Sequence, residues 1–129
     1  MTSRPDDVLY VAEAGTGDLA GYALARPGPT EIAAYDSELL ALHVHPSRYR
    51  QGIGRALVAA VAKQLQQRGC ASMMLWAMEE NRAHGFYLRL GRRALDARKL
   101  SGTGAAEVAY EWPALERITQ SAPPMEAVH

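Results

Sequence analysis

Two glycines separated by a single residue, Gly52 and Gly54, lie between a predicted strand and a predicted helix. Glycine allows the backbone to turn tightly and to bring its N–H groups against a ligand without a Cβ atom in the way. The helix that begins here also points its unpaired amides, which together carry roughly half a positive charge, at the same place. This spacing therefore predicts a backbone cradle for an anion such as a diphosphate.

The charged residues near this loop also favour an anion site. The chain has no Asp or Glu between Glu38 and Glu79, although its formal net charge is zero. In the first helical turn, Arg55 opposes the helix dipole by about 0.3–1 kcal/mol unless an anion is bound. The alternative is a set of solvated charges on a helix face, but glycine spacing, helix start and charge agree on an anion site. The basic residues of this interval are Arg48, Arg50, Arg55, Lys63 and Arg68.

Two other kinds of diphosphate loop fit this segment less well. A P-loop needs Lys followed by Ser or Thr after its last glycine, whereas Arg55 and Ala56 stand there. A dinucleotide-binding loop needs a third glycine where Leu57 stands, and an acidic residue about 20 positions later, within the interval that has no acids. Neither NTP hydrolysis nor dinucleotide binding is therefore predicted.

The elements that would position this loop follow from the spacing of apolar residues and from turn signals. Strands are predicted over residues 8–14, 19–26, 38–44, 71–78, 94–100 and 105–112, and helices over 52–68, 81–90 and 114–119. Gly69 is expected to end the long helix. That helix is the crossover between strands 38–44 and 71–78, which should therefore be parallel neighbours. The predicted fold class is α+β, with a mixed, mostly antiparallel sheet, a central parallel βαβ pair and helices packed on the sheet.

Length and composition restrict the classes of function. We expect one domain over residues 1–129, with a core over about 8–112 and a C-terminal tail over 113–129. The N-terminus lacks the apolar core of a signal peptide, and no apolar run reaches the roughly 20 residues that span a bilayer. The sequence has a single cysteine, Cys70, which fits a reducing compartment. Zero net charge argues against general nucleic-acid binding. A cytoplasmic protein that binds neither membranes nor nucleic acids is predicted.

From Val8 to Trp112 the chain resembles the Gcn5-related N-acetyltransferase (GNAT) superfamily. The acetyl-CoA loop of that family reads Gln/Arg-x-x-Gly-x-Gly/Ala between a strand and a helix. Gly52-x-Gly54 matches this motif, with Tyr49 at the position where Gln or Arg is usual.

Two flanking segments carry the same resemblance. Residues 38–46 are similar to the strand that precedes the family's loop, and residues 81–91, which include Asn81 and Tyr87, are similar to its second motif. Members of the family usually begin with a strand and two helices, and these have no counterpart before Val8. The resulting exposed strand edge favours a homodimer.

The resemblance implies acetyl-CoA as a cosubstrate and no metal. The pantetheine arm would lie between strands 38–44 and 71–78, bonded to backbone groups near Leu42 and Val44, and the diphosphate would lie on the amides of residues 50–55. The N–H of about Leu42 would polarise the thioester carbonyl. The implied cofactor-binding residues are Leu42, His43, Val44, Tyr49, Arg50, Gln51, Gly52, Ile53, Gly54, Arg55, Ala56, Asn81 and Tyr87.

Acyl transfer to an amine needs a neutral amine, a polarised carbonyl and a proton for the departing thiolate. The resemblance implies direct attack by the amine, with Tyr87 as the general acid toward the sulfur, since a phenol with a pKa of about 10 can protonate a thiolate. Packing against Phe86 and Leu90 on the apolar side of its predicted helix is the alternative role of Tyr87.

Glu38 matches the position where some members of the family hold the glutamate that deprotonates the amine. Its alternating neighbours, Leu40, Leu42 and Val44, predict a partly apolar face that would raise its pKa. A solvated glutamate at the start of a strand is the alternative.

Two histidines on the same strand, His43 and His45, are further candidates for the base or for cofactor contact. A metal site on this pair alone is not predicted, because no third ligand lies near in the sequence.

Two classes of function follow. The first is an N-acetyltransferase that transfers an acetyl group from acetyl-CoA to a primary amine of a small molecule or protein. The second is a module that binds an acyl-CoA without turnover, as a sensor or as part of an assembly. Release of free CoA in the presence of amines distinguishes them, because only the enzyme produces it.

Overall fold

The computed structural model describes residues 5–30, 34–48, 52–78, 92–100 and 106–121. The strands in these ranges are β1 (Val8–Glu13), β2 (Leu19–Pro27), β3 (Ser37–Val44), β4 (Met73–Met78), β5 (Arg92–Leu100) and β6 (Ala106–Trp112). The helices are α1 (Ile53–Gln67) and α2 (Glu116–Ser121), and a 3-10 turn, Pro46–Arg48, precedes α1. The helix predicted over residues 81–90 lies outside the described ranges. No helix within the described ranges has the length and apolar character needed to cross a membrane.

The six strands form one sheet in the order β1-β2-β3-β4-β6-β5. β3 and β4 are parallel, and each of the other neighbouring pairs is antiparallel. The parallel pair is connected through α1, as a crossover connection requires. The predicted α+β fold with a central βαβ pair is confirmed.

Helix α1 provides one side of the main core. Its buried residues recur at helical spacing and pack on β1, β2 and β3. At its end, Gly69 has a φ of +91°, which lets its N–H donate to Gln66 O and lets Cys70 N–H donate to Leu65 O. The predicted role of Gly69 in ending this helix is confirmed. The buried residues of α1 are Ala56, Leu57, Val58, Val61, Ala62 and Leu65.

The core continues past the last strand. Leu115 and Ile118 are buried in the same apolar cluster as α1. The N–H of Leu115 also donates a hydrogen bond of 2.9 Å to Ala71 O, just before β4. Burial of each such side chain contributes roughly 1.5–3 kcal/mol. Residues 115 and 118, which the sequence places in the tail, therefore help to hold the sheet and α1 together.

Candidate active site

Strands β3 and β4 are paired at one end and apart at the other. The ladder between them pairs Glu38 with Met74, near the start of both strands, and reaches no further among their described residues. In contrast, β4 pairs with β6 along its whole length, from Met73 to Met78. The space between residues 42–44 of β3 and 76–78 of β4 is called the gap below. It lies where the family resemblance implies the pantetheine arm.

The backbone groups of Leu42 and Val44 face the gap. His45 N–H donates a hydrogen bond of 2.8 Å to Ala20 O, beside β2, so residue 45 directs its backbone groups toward β2. Backbone groups of successive strand residues alternate in direction, so those of His43 also point to β2, and those of Leu42 and Val44 point away from it. Within the described part of β4, no ladder partner meets them. These N–H and C=O groups are therefore directed into the gap.

A β-bulge at Leu40 bends β3 where it leaves β4. Leu39 pairs with Ala25 of β2, but Ala41 pairs with Leu24, so Leu40 is an extra residue in β3. A bulge kinks its strand and increases the local twist. The bulge thus accounts for the divergence of β3 from its parallel neighbour.

The bulge also changes which residues share a face of the sheet with Glu38. Beyond Leu40, His43 lies on the face of Glu38, whereas Leu42 and Val44 lie on the opposite face, toward α1. The sequence interpretation, in which Glu38 shares one apolar face with Leu42 and Val44, is wrong. The extra residue shifts the alternation by one position, which exchanges the two faces.

The amino terminus of α1 lies at the open end of the gap. Gly21 is paired with Val44 at the end of β3, and a Cβ atom on Gly21 would lie 3.2 Å from Cδ1 of Leu57. The first two turns of α1 therefore lie over the end of β3, next to Leu42 and Val44.

The first turn of α1 offers backbone amides to an anion. Gly52 is the N-cap, with a φ of +78° and no side chain to cap the helix. The N–H groups of Ile53 and Gly54 have no acceptor within α1, because the first amides of a helix never do. The turn contains no acidic residue, and Arg55 is exposed. The site has the donors and the charge that a diphosphate requires.

The two histidines of this region differ in their surroundings. The Nδ1 atom of His45 accepts a 3.2 Å hydrogen bond from Ser47 N–H and lies 2.8 Å from Ser47 Oγ, so this ring caps the 3-10 turn. His43 is exposed and lies beside Tyr22 of β2, with ring centroids 5.6 Å apart. Of the two rings, His43 has the better position for contact with a ligand. Tyr22 was not predicted, because its place opposite His43 depends on the strand register.

Cys70 has a structural environment. The thiol is half-buried and donates to Asp36 O at a sulfur–oxygen distance of 3.6 Å. Burial, followed by the charge of Asp36, raises the pKa of this thiol. A neutral, bonded thiol is a poor nucleophile, which agrees with a reaction that uses no cysteine.

The remaining predicted site residues stand in two groups. Glu38 lies at the paired end of β3 and β4, about 13 Å along the strand from Leu42 at 3.3 Å per residue. A proton path from that distance would need bridging water. The other group comprises Tyr49, Arg50, Gln51, Asn81 and Tyr87, which lie outside the described residues. Their roles stay predictions.

Comparison with known proteins decides the family. Residues 1–91 match the acetyltransferase (GNAT) family. The chain belongs to the GNAT family. This membership places it among the acyltransferases and confirms the family predicted from the glycine loop and the two flanking motifs.

The GNAT chain has relatives in both sequence and structure. It is 37% identical over 118 residues to YuaI, an uncharacterized N-acetyltransferase of Bacillus subtilis strain 168, covering 90% of this chain and 68% of that protein. It resembles nourseothricin acetyltransferase with a TM-score of 0.71 at 23% identity, over 85% of this chain and 66% of the other. It also resembles an aminoglycoside 6'-N-acetyltransferase complexed with coenzyme A, with a TM-score of 0.68 at 17% identity, over 86% of this chain and 74% of the other.

These comparisons support the fold more strongly than any detail of the site. The two structural neighbours are less than 25% identical to this GNAT chain, so they establish the fold alone. The chain spans about two thirds of the length of YuaI and of nourseothricin acetyltransferase.

Proposed function

We propose that the chain transfers the acetyl group of acetyl-CoA to a primary amine of a small molecule or protein. The observation that carries this proposal is the convergence of two sets of backbone donors. Leu42 and Val44 direct their N–H groups into the gap, and the uncapped first turn of α1 lies at the open end of the same gap. A single ligand that carries a diphosphate at one end and a thioester on a long thin arm can accept hydrogen bonds from both sets of donors.

In this proposal the backbone performs most of the binding. The amides of residues 50–55 hold the diphosphate, and the groups of Leu42 and Val44 hold the pantetheine arm in the manner of an added strand. The N–H of Leu42 donates to the thioester carbonyl oxygen as negative charge develops there. Loss of one such donor reduces kcat by about 10²–10³-fold in enzymes where it has been replaced.

Two side chains would move protons. The amine nitrogen attacks the thioester carbon, a C–N bond forms and the C–S bond breaks. Glu38 takes the proton from the amine through water, and Tyr87 gives a proton to the departing thiolate, so the products are an N-acetylated amine and free CoA. His43, on the same sheet face as Glu38 and exposed, is the second candidate for the base.

The acceptor, the assembly and the compartment are part of the same proposal. The structural neighbours named for nourseothricin and for aminoglycosides favour an amine as the acceptor. A homodimer is proposed through β1, which is the edge of the described sheet and carries Leu9 with 53% of its surface exposed. A cytoplasmic location is proposed from the single, half-buried thiol of Cys70.

The function is tested by binding and by product release. Acetyl-CoA should raise the melting temperature of the protein, because a ligand of the native state stabilises it by mass action. With a panel of amines and protein N-termini, the protein should release free CoA, and Tyr87→Phe should reduce release by about 10²-fold or more while binding remains. Tyr10→Phe is the matched control, because the hydroxyl of Tyr10 contacts Gln64 on the far side of the sheet from Glu38.

Each result has a separate meaning. Thermal stabilisation without CoA release would favour the alternative of a binding module. If acetyl-CoA neither binds nor stabilises the protein, the proposed function is wrong.

A further inference from the structure

The closed end of the gap is fastened by side chains rather than by a continuous ladder. Asp36 immediately precedes β3, and Ala71 and Ser72 immediately precede β4. The Asp36 carboxylate accepts hydrogen bonds of 3.0 Å from Ala71 N–H, from Ser72 N–H and from the Ser72 hydroxyl. In return, Asp36 N–H donates to Ser72 Oγ at 3.1 Å, and the buried hydroxyl of Ser37 donates to Ser72 O.

The main chain of Asp36 is fixed as well. Gly28 N–H, at the end of β2, donates to Asp36 O at 2.9 Å, and the Cys70 thiol contacts the same oxygen. Burial alone would raise the pKa of Asp36, but the hydrogen bonds from Ala71 and Ser72 outweigh it and hold the pKa below its usual value. The carboxylate is therefore ionised at neutral pH, and bonds to an ionised acceptor are the stronger kind. Asp36 thus joins the start of β3, the start of β4 and the end of β2.

Asp36 and the gap lie at opposite ends of the same strand. From Asp36 to Leu42 the distance along β3 is about 20 Å at 3.3 Å per residue. Between Asp36 and Leu42, the only ladder pair that joins the described residues of β3 and β4 is Glu38 with Met74. Because the strands are fastened at one end, a rotation of about 3–5° there moves Leu42 by about 1–2 Å relative to β4. A displacement near 1 Å of the groups in an enzyme active site can lower the rate by about 100-fold.

We propose that Asp36, through Ala71 and Ser72, is a positioning residue that sets the width of the gap between β3 and β4. The kinetic consequence rests on the proposed function: the width set at the closed end determines how well acetyl-CoA and longer acyl-CoA thioesters fit at the open end.

The test compares Asp36→Ala with Asp7→Ala. Asp7 is the matched control, since its carboxylate is likewise shielded from solvent and hydrogen-bonded, and contacts Arg26 at 2.8 Å, but it joins β1 to β2 instead of β3 to β4. At a temperature where circular dichroism shows each variant folded, KM and kcat are measured for acetyl-, propionyl- and butyryl-CoA. Asp36→Ala should raise KM for acetyl-CoA about tenfold and shift the acetyl-to-butyryl preference about threefold or more, whereas Asp7→Ala should leave both within about twofold.

A second measurement needs no ligand. Two nitroxide spin labels are attached to the cysteines of a variant with His43→Cys and Glu107→Cys. The labels report the distance across the gap in the unliganded protein, because Glu107 is paired with Met78 at the end of β4. The variant also carries Cys70→Ser, which keeps a donor to Asp36 O. Asp36→Ala should shift or broaden this distance distribution, and Asp7→Ala should not. If Asp36→Ala does not fold, Asp36→Asn, which keeps one acceptor oxygen, and Ser72→Ala take its place.

The outcomes separate this inference from the proposed function. An unchanged distance distribution overturns the positioning role, as does a lower melting temperature with unchanged KM and chain-length preference. Failure of the wild-type protein to bind acyl-CoA overturns the proposed function, and the distance measurement still decides whether Asp36 sets the gap.

Discussion

Gly21 and His43 lie against each other across β2 and β3, so closely that a Cβ atom on Gly21 would be 2.5 Å from the carbonyl oxygen of His43. Real side chains do not approach a backbone oxygen to this distance. The same Cβ atom would lie 3.3 Å from Cα of Val44, with which Gly21 is paired, and 3.2 Å from Cδ1 of Leu57 in α1. The glycine therefore brings the end of β3 and the start of α1 together at the open end of the gap.

This contact predicts the effect of Gly21→Ala. The methyl group must push β3 away from β2, which should lower the free energy of unfolding by about 1–3 kcal/mol. The displaced strand carries Leu42 and Val44, so the affinity for acetyl-CoA should fall as well. Urea unfolding and calorimetry measure the two effects. Gly15→Ala is the control, because a Cβ atom at Gly15 meets open space; equal stability of both variants would contradict the prediction.

The two ends of α1 allow the anion site to be tested apart from helix stability. Gly52 and Gly69 both have positive φ, +78° and +91°, and a Cβ atom at either would meet open space. Substitution of each by Ala should lower the free energy of unfolding by about 1–2 kcal/mol, the cost of a left-handed conformation. Only Gly52→Ala should also weaken binding of CoA and of inorganic pyrophosphate, measured by calorimetry. Equal affinity of both variants for CoA would show that the amino terminus of α1 does not bind CoA.

The sequence predicts the elements of this fold and the place of its loop, because those features depend on neighbours along the chain. The Gly52-x-Gly54 spacing, the apolar repeat of α1 and the glycine cap at Gly69 are all local patterns. The order of the elements then requires the parallel pair β3 and β4.

The features that shape the gap depend on contacts between distant residues. The bulge at Leu40 is defined by its pairing with β2, and nothing in its own segment marks it. Asp36 and Ser72 are 36 positions apart, and each is an ordinary turn residue in its own segment. Burial of Leu115 and Ile118 similarly requires the position of α1, so the sequence assigns them to a tail.

The carboxylate of Asp36 should make the free energy of unfolding depend on pH. Its pKa is lowered in the folded protein by hydrogen bonds from Ala71 and Ser72, which outweigh burial, whereas an unfolded aspartate titrates near 3.9. The unfolded chain therefore binds the proton first as the pH falls. The stabilisation is fully present above about pH 5 and is lost as the pH falls through the folded pKa.

Urea unfolding of the wild type and of Asp36→Asn between pH 7 and pH 3 measures this effect. At pH 7 the variant should be less stable by about 1–3 kcal/mol, as expected for loss of hydrogen bonds to a charged acceptor. Its stability should also decrease less steeply below pH 5 than that of the wild type. Asp6→Asn, at an exposed position, controls for the removal of one carboxylate. Parallel pH profiles for the wild type and Asp36→Asn would contradict this assignment.

The edge strand β1 provides the test of assembly. Within the described sheet, one side of β1 is paired with β2 and the other faces outward, and Leu9 on this strand has 53% of its surface exposed. A lysine on an edge strand opposes pairing with another strand, because its charge would be buried in the new contact. Leu9→Lys should therefore convert a dimer into a monomer of 14.0 kDa, as measured by light scattering during size exclusion.

Leu19→Lys, at a leucine of β2 with a similar exposure of 50%, should leave the dimer intact. A wild-type protein that already runs at 14.0 kDa at high concentration would rule out the β1 dimer, and dissociation by both substitutions would place the contact elsewhere on this surface.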